Sequence, residues 1–333
     1  MHPLVSIITP CYNGEGFLDQ YFATILSQTY DHLELIFVND GSTDRTEEIA
    51  GSYRPALEKR GIVFKYLYQP NGGQAKAMNT GFREMTGKYV VWPDSDDLLS
   101  PDSIEKRVDF LENHPDFDFV RTSGDRFDFE TGQRLGSINF DYYSNADKED
   151  IFLDLIQETT YCACGCYMIK TETLRRIYPD LKIYETNVGQ NWQILIPIAG
   201  RGKCGFIDEE SNHVAERSNS HSWQKRSLQE AVDRQLELKK VLLIGIEKSG
   251  RTDRDYKKIV EEKYLHVLFH LYLEAGDAER VGEFYAALQK GGILSQDEHA
   301  CYLRLAHPAR YWLYRVKRFT CHRAQIFGQL LKR

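Results

Sequence analysis

The sequence lacks any apolar run long enough to cross a membrane. Its longest aliphatic stretch near the middle runs from Val241 to Ile246, against the roughly 18 residues a span needs. No basic stretch followed by an apolar one opens the chain, so no secretory leader is expected. Cysteine is scarce and odd in number, seven in 333 residues. That favours free thiols in a reducing compartment over a disulfide framework, and hence a cytoplasmic setting. No repeat of fixed period stands out.

What is present is an ordinary globular composition. The chain is 42% hydrophobic and 27% charged, and its length suggests two domains, each able to bury a core. The net charge of -7 is unevenly spread. From Cys301 to Arg333 there are eight Lys/Arg and no acid, which leaves the rest at -15. Tyr311, Trp312, Leu313, Tyr314, Val316 and Phe319 interleave with those bases. A basic, aromatic tail on an acidic body suits peripheral contact with an anionic membrane, at its inner face, and speaks against nucleic acid.

Strand and helix signals alternate over the first hundred residues. Leu4–Thr9, Leu33–Val38, Ile62–Leu67 and Tyr89–Trp92 read as strands. Phe17, Leu18, Tyr21, Phe22, Ile25 and Leu26 form one face of a helix. A second helix is expected near Thr43, capped by Asn39-Asp40-Gly41-Ser42. A third opens at Gly72-Gly73. This alternation predicts an α/β fold with a mostly parallel sheet flanked by helices. Such sheets bind ligands at the carboxyl ends of their strands. Beyond about His221 the pattern is wholly helical. The expected domains are 1–222 and an all-α 223–333.

The strand ends carry the chemistry. Asp94-Ser95-Asp96-Asp97 places carboxylates where they can converge on a hard divalent cation, Mg²⁺ or Mn²⁺. The competing reading is a cap for the helix after Pro101. A calcium loop fails, because Leu98 and Leu99 stand where an oxygen ligand and a glycine are needed. Gly14-x-Gly16 has Asp19 in place of the third glycine of a dinucleotide loop, and Gly81 to Gly87-Lys88 has the wrong spacing for a P-loop. Asp40 could accept hydrogen bonds from a base or ribose, or serve only its own turn. Cys162, Cys164 and Cys166 read as small residues of one strand face rather than a zinc site. His213 and His221 are candidate imidazole ligands.

As a set, Val5-Ser6-Ile7-Ile8-Thr9-Pro10-Cys11-Tyr12-Asn13, Val38-Asn39-Asp40-Gly41-Ser42-Thr43-Asp44, Asn71-Gly72-Gly73 with Asn79-Thr80-Gly81, and Asp94-Ser95-Asp96-Asp97 resemble the family 2 glycosyltransferases of GT-A type. The resemblance covers roughly the first 115 residues and thins beyond them. It implies inverting, metal-dependent transfer of a sugar from a nucleotide-diphosphate sugar, UDP-linked, to a hydroxyl of a glycan or lipid-linked glycan. It assigns Thr9, Pro10, Tyr12, Asn13, Asp40, Gly41, Ser42, Asn71, Gly73, Lys76, Asp94 and Ser95 to the donor, with Asp40 on the base. Asp94, Asp96 and His221 would hold Mn²⁺ or Mg²⁺. Surface-polysaccharide assembly at the cell envelope is the setting it suggests.

One departure matters. The family often carries Glu-Asp-Trp before a helix, its Asp being the general base, whereas this chain has Gln190-Asn191-Trp192. Neither amide accepts a proton at neutral pH. Glu185 is the nearest upstream carboxylate; alternatively Asn191 only positions the hydroxyl. The departure also motivates a second class of function, an inactive sugar-nucleotide binder or scaffold. A nicotinamide oxidoreductase would leave Asp94-Ser95-Asp96 unexplained, and a sugar nucleotidyltransferase would want a Gly-rich, Arg-bearing loop after the first strand.

Overall fold

The computed structural model describes residues 2–138, 148–217, 226–308 and 310–311. Strands β1 (Val5–Cys11) and β2 (Leu33–Asp40) are buried along their whole length. Runs of β-branched and aliphatic residues suit strands covered on both faces. Helix α1 (Leu18–Leu26) buries Leu18, Tyr21, Phe22 and Ile25. α2 (Thr46–Lys59), β3 (Val63–Gln69), α3 (Gln74–Glu84) and β4 (Tyr89–Val91) continue the alternation. Then come β5 (Leu98–Leu99), α4 (Ser103–Asn113), β6 (Phe119–Asp128), β7 (Arg134–Ser137) and α5 (Phe152–Gln157). β8 (Tyr167–Lys170), α6 (Thr171–Ile177), α7 (Gln190–Ala199) and β9 (Cys204–Glu216) complete the sheet region. The helices α8 (Leu228–Ser249), α9 (Tyr256–Ala275), α10 (Ala278–Gly291) and α11 (Gln296–Ala306) follow.

The nine strands form one sheet in the order β3-β2-β1-β4-β8-β6-β9-β5, with β7 on β6. β1 to β4 pair in parallel. The second half is mixed: β8 runs antiparallel to β4 and β6, and β5 antiparallel to β9, while β6 and β9 are parallel. Antiparallel neighbours need no helical crossover, so the helices between these strands do not by themselves fix strand direction.

One sheet face is sealed by Tyr21, Phe22, Ile25, Ile49, Leu57, Ile104 and Val108 packed on Ile7, Leu35, Phe37 and Val91. Strand alternation turns Ile8 to the opposite face. There it abuts Gly81 of α3, where a methyl group would collide with the Ile8 side chain. That close approach brings the start of α3 up to the strand ends.

Two local expectations are corrected. α2 begins at Thr46, not near Thr43. Its first turn is served by Asp44, whose Oδ1 accepts from the Thr46 N–H at 3.0 Å, while Asn39 Oδ1 takes the Ser42 N–H at 2.9 Å. Cys164–Cys166 is a 3-10 turn, and no strand carries the three cysteines. Gly165 lies against Asn212, where a side chain would not fit. The turn is held by the buried Arg107, which donates to the carbonyls of Gly165 at 2.8 Å and Tyr167 at 3.1 Å.

The chain divides into two compact units. The first runs through β9 and includes residues 240–256; the second takes residues 225–239 and the chain from Lys257 onward. The second unit centres on Phe269, Val281 and Leu288, with Tyr272, Phe284, Tyr285 and Tyr302 around them. Ser295 and Glu298 form a capping box at the start of α11. The expected boundary near Ser218–Ser222, like the tail from Trp312, lies outside the described residues.

Candidate active site

The loops after β1, β2 and β4 and before α3 meet at the carboxyl edge of the parallel strands. The first two are laced together. The Asn13 N–H donates to Ser42 Oγ at 2.9 Å, and the Thr43 N–H donates to Asn13 Oδ1 at 2.9 Å. The Gly14 N–H reaches Thr46 Oγ1 at 2.7 Å, and the Glu15 N–H reaches Asp44 Oδ2 at 2.9 Å. Asn13 adopts a left-handed φ of 53° to make this junction, which Asn tolerates better than most residues. Tyr12 is left half exposed beside it, at 50%. Thr9 and Pro10 are buried, and the Thr9 hydroxyl bonds Tyr21 in the core. Any contribution of Thr9 to a ligand is therefore through position rather than its hydroxyl.

Asp40 is buried at the end of β2, and its carboxylate is already engaged. Oδ1 accepts from Gln69 Nε2 at 2.6 Å and from the Gly72 N–H at 3.0 Å; Oδ2 accepts from the Gly73 N–H at 2.8 Å. A carboxylate offers about four acceptor sites, so at most one remains for a base. Gln69 is itself oriented by Thr80, whose hydroxyl donates to Oε1 at 2.6 Å. Asn71 and Lys76 are exposed at this rim. Gly41 brings the loop against Asn71. Its φ is +74°, and an added Cβ would lie 2.5 Å from the Asn71 backbone nitrogen. Gly41→Ala is expected to destabilise the fold by roughly 1–3 kcal/mol, read as a lowered Tm. An unchanged Tm would mean that the two loops are not held this way.

The acidic turn follows β4. Asp94 is half-buried, with Oδ1 accepting from Gln74 Nε2 at 2.6 Å. Ser95 is buried. Asp96 Oδ2 pairs with the Arg217 guanidinium, which lies over the Phe17 ring at 4.3 Å from its centre. Asp97 is buried, and its Oδ2 accepts from Asn212 Nδ2 at 3.4 Å. Ligand atoms of Asp94, Asp97 and Cys164 all lie within 4.8 Å of one another. Burial, then the Asp96 charge, pushes Asp94 up to about 6. Burial and the neighbouring Asp94 and Asp96 charges likewise hold Asp97 well above the usual carboxylate range. Three carboxyl groups crowded into a low-dielectric turn repel one another unless a cation sits with them.

α7 brings Gln190 and Asn191 to the same place. Gln190 Nε2 donates to Gln74 Oε1 at 2.6 Å, so an amide relay runs from Gln190 through Gln74 to Asp94. Asn191 Oδ1 accepts from Trp92 Nε1 at 3.0 Å; its amide nitrogen is the group left to meet a ligand. Glu185 is exposed and pairs with Lys182 at 3.3 Å. His213 has both ring nitrogens in contact, Nδ1 with Asp125 Oδ1 at 2.6 Å and Nε2 with Ser100 Oγ at 3.0 Å. It reaches no residue of the acidic turn through these contacts. His221 lies outside the described residues.

The residues the sequence missed are the partners: Gln69, Gln74, Trp92, Cys164, Asn212 and Arg217. Gln74 carried a faint signal, since it directly follows Asn71-Gly72-Gly73. Gln69 and Trp92 sit beside the motifs but carry no polar pattern of their own, and Cys164, Asn212 and Arg217 reach the site from segments distant in sequence.

Residues 6–178, more than half of the chain, match the family described as Glycosyl transferase family 2. An uncharacterized glycosyltransferase of Rickettsia prowazekii is 38% identical over 45% of either chain. One of Bacillus subtilis is 39% identical over 34% of this chain and 32% of its own. The matched stretch thus spans less than half of these relatives. Among solved structures, Staphylococcus aureus TarS residues 1–349 in complex with UDP-GlcNAc aligns with a TM-score of 0.55 at 16% identity, over 90% of this chain and 79% of that one. The mannosyltransferase PcManGT of Pyrobaculum calidifontis, in complex with GDP-Man and Mn²⁺, aligns with a TM-score of 0.56 at 20% identity, over 95% and 83%. Taken with the sheet order and the acidic turn after β4, these matches place the chain in the family 2 glycosyltransferases, on a GT-A fold.

Proposed function

We propose that the protein transfers a sugar, with inversion, from a UDP-linked sugar to a hydroxyl of a glycan or lipid-linked glycan, using Mn²⁺ or Mg²⁺. The observation that carries this reading is the crowded acidic turn. Asp94 and Asp96 offer hard carboxylate oxygens, the donor set those ions prefer. Burial, and then the Asp96 charge, raises the Asp94 pKa, and a bound ion would offset both. The two carboxylates fit such an ion, with Asp94 and Asp96 as its proposed holders and His221, outside the described residues, as the proposed third. A bound ion would neutralise charge developing on the departing diphosphate. UDP-GlcNAc in TarS and Mn²⁺ in PcManGT support the donor class and the cation.

The chain's own residues then divide the work. Tyr12, Asn13, Asp40 and Ser42 border the base, with Asp40 held by Gln69 and the Gly72 and Gly73 amides so that one acceptor position stays open. Gly41, Asn71, Gly73 and Lys76 form the rim beside it, and Ser95 backs Asp94. The acceptor oxygen forms a bond to the anomeric carbon as the bond to the diphosphate breaks. Asn191, fixed by Trp92, donates from its amide nitrogen and orients the acceptor. Glu185 takes the proton. A donor-binding protein without transfer is the second reading, favoured by the amides at 190 and 191.

Release of nucleoside diphosphate from a panel of sugar nucleotides, with and without Mn²⁺, tests the first reading against the second. Metal-dependent release with one donor supports transfer; binding without release supports the inactive binder.

No helix among the described residues is long and apolar enough to cross a membrane. The tail of interleaved aromatics and bases supports peripheral docking on the cytoplasmic side, where each base near an anionic surface adds about 1 kcal/mol. The full chain is expected to co-sediment with anionic vesicles at low salt, and a chain ending before His307 to stay in solution. Equal, negligible binding by both would exclude docking through the tail.

A further inference from the structure

We infer that Arg217 is a built-in competitor for the cation: its guanidinium holds Asp96 in the metal-free protein and must leave before a divalent ion can be bound there. The inference rests on the proposed cation at the acidic turn and adds what sets its affinity.

Three observations converge on it. Arg217 pairs with Asp96 Oδ2, one of the two proposed cation-holding carboxylates. The guanidinium is half-buried against a platform, 4.3 Å from the centre of the Phe17 ring. A flat, weakly hydrated cation is suited to that stacking. Its Nε is nevertheless buried with no hydrogen-bond partner. A buried donor without a partner is costly, so this placement is held by Asp96 and Phe17 and not by a full set of bonds. The side chain is thus secured well enough to balance the turn's charge, yet not locked.

The acidic turn explains why a stand-in is useful. Asp94, Asp96 and Asp97 are consecutive but for Ser95, and among the described residues Arg217 is the basic side chain whose ion pair reaches them. Without a positive charge the turn would repel itself. Arg217 directly follows β9 (Cys204–Glu216). A divalent ion held by Asp96 would compete with the arginine for that carboxylate.

The test is Mn²⁺ binding by the full chain without donor, followed by the electron spin resonance of free Mn²⁺. Arg217→Gln is expected to bind Mn²⁺ roughly tenfold tighter than wild type, the equivalent of about 1.4 kcal/mol. Arg217→Lys keeps the charge and is expected to stay within about threefold of wild type, by the same arithmetic. Arg54→Gln, which removes a positive charge from the surface of α2, is expected to change nothing. Tighter binding in Arg217→Gln alone supports the competition. Binding no tighter than wild type, or equal tightening in Arg54→Gln, overturns it. Asp96→Asn separates the two proposals. If wild type binds Mn²⁺ and Asp96→Asn does not, the cation site stands even where the Arg217 variants overturn the competition. If neither wild type nor Arg217→Gln binds Mn²⁺, both fall.

Discussion

Asp96→Asn is expected to lower turnover by at least about 10²-fold, because the departing diphosphate would lose the carboxylate that anchors its counter-charge. The reason lies in the division of labour along the acidic turn. Asp97 is buried and directed at Asn212, whereas Asp96 reaches outward to Arg217. Asp94 stands between, tied to Gln74. Asp94→Asn is expected to weaken donor and cation together, and to carry a signature that a simple cap would not. Its folded pKa of about 6 lies above the ordinary 3.8. A carboxyl whose folded pKa is raised costs stability once ionised: the cost is fully present above about pH 6 and gone below about pH 4. In metal-free protein Asp94→Asn should therefore raise Tm at pH 7 and leave it unchanged at pH 4. A helix cap would show no such gain at pH 7, because Asn caps a helix about as well as Asp. Wild-type turnover in both variants, with metal restored after chelation, would reduce the turn to a structural cap.

Glu185→Gln is expected to lower turnover by roughly 10²–10⁴-fold with little change in donor affinity, the effect of removing a general base. Glu185 is exposed and its nearest cation is Lys182 at 3.3 Å, so the substitution disturbs no buried network. Asn191→Asp tests the other side of the departure from Glu-Asp-Trp. Asn191 Oδ1 accepts from Trp92, and an aspartate could keep that bond while offering a proton acceptor from its second oxygen. Retained or increased turnover in Asn191→Asp would show that the position faces the acceptor. Near-normal turnover in Glu185→Gln would remove Glu185 from the reaction and leave the amide-oriented mechanism.

Much of this site was legible in the sequence. The alternating signals of the first hundred residues placed β1, β2 and β4 and their polar ends, because short apolar runs stopped by Pro10, Asn39-Asp40-Gly41 and Pro93-Asp94 are local features. Periodicity could not reveal which polar atoms are free. Asp40 reads as a ligand group, yet three of its acceptor positions are filled by Gln69, Gly72 and Gly73. Asn13 and Ser42 read as donor contacts, and they bond each other's loops. These pairings join residues about thirty positions apart and have no local signature. The cysteine turn was misread for a related reason. Alternation of Cys162, Cys164 and Cys166 is a strand pattern, but Gly165 and the Arg107 bonds to its carbonyl and that of Tyr167 fold the segment into a 3-10 turn. Arg217 arrives from β9, whose parallel pairing with β6 is set by tertiary contacts alone.

The central claim is that the acidic turn and the β1 and β2 loops together form a cation-dependent site for a nucleoside diphosphate. Calorimetric titration of the full chain with UDP, in Mn²⁺ and again in chelator, tests it most directly. Binding in Mn²⁺ that is lost in chelator and in the Asp94→Asn, Asp96→Asn double variant is the predicted result. UDP that fails to bind in Mn²⁺, or that binds equally well in chelator and to the double variant, would contradict it.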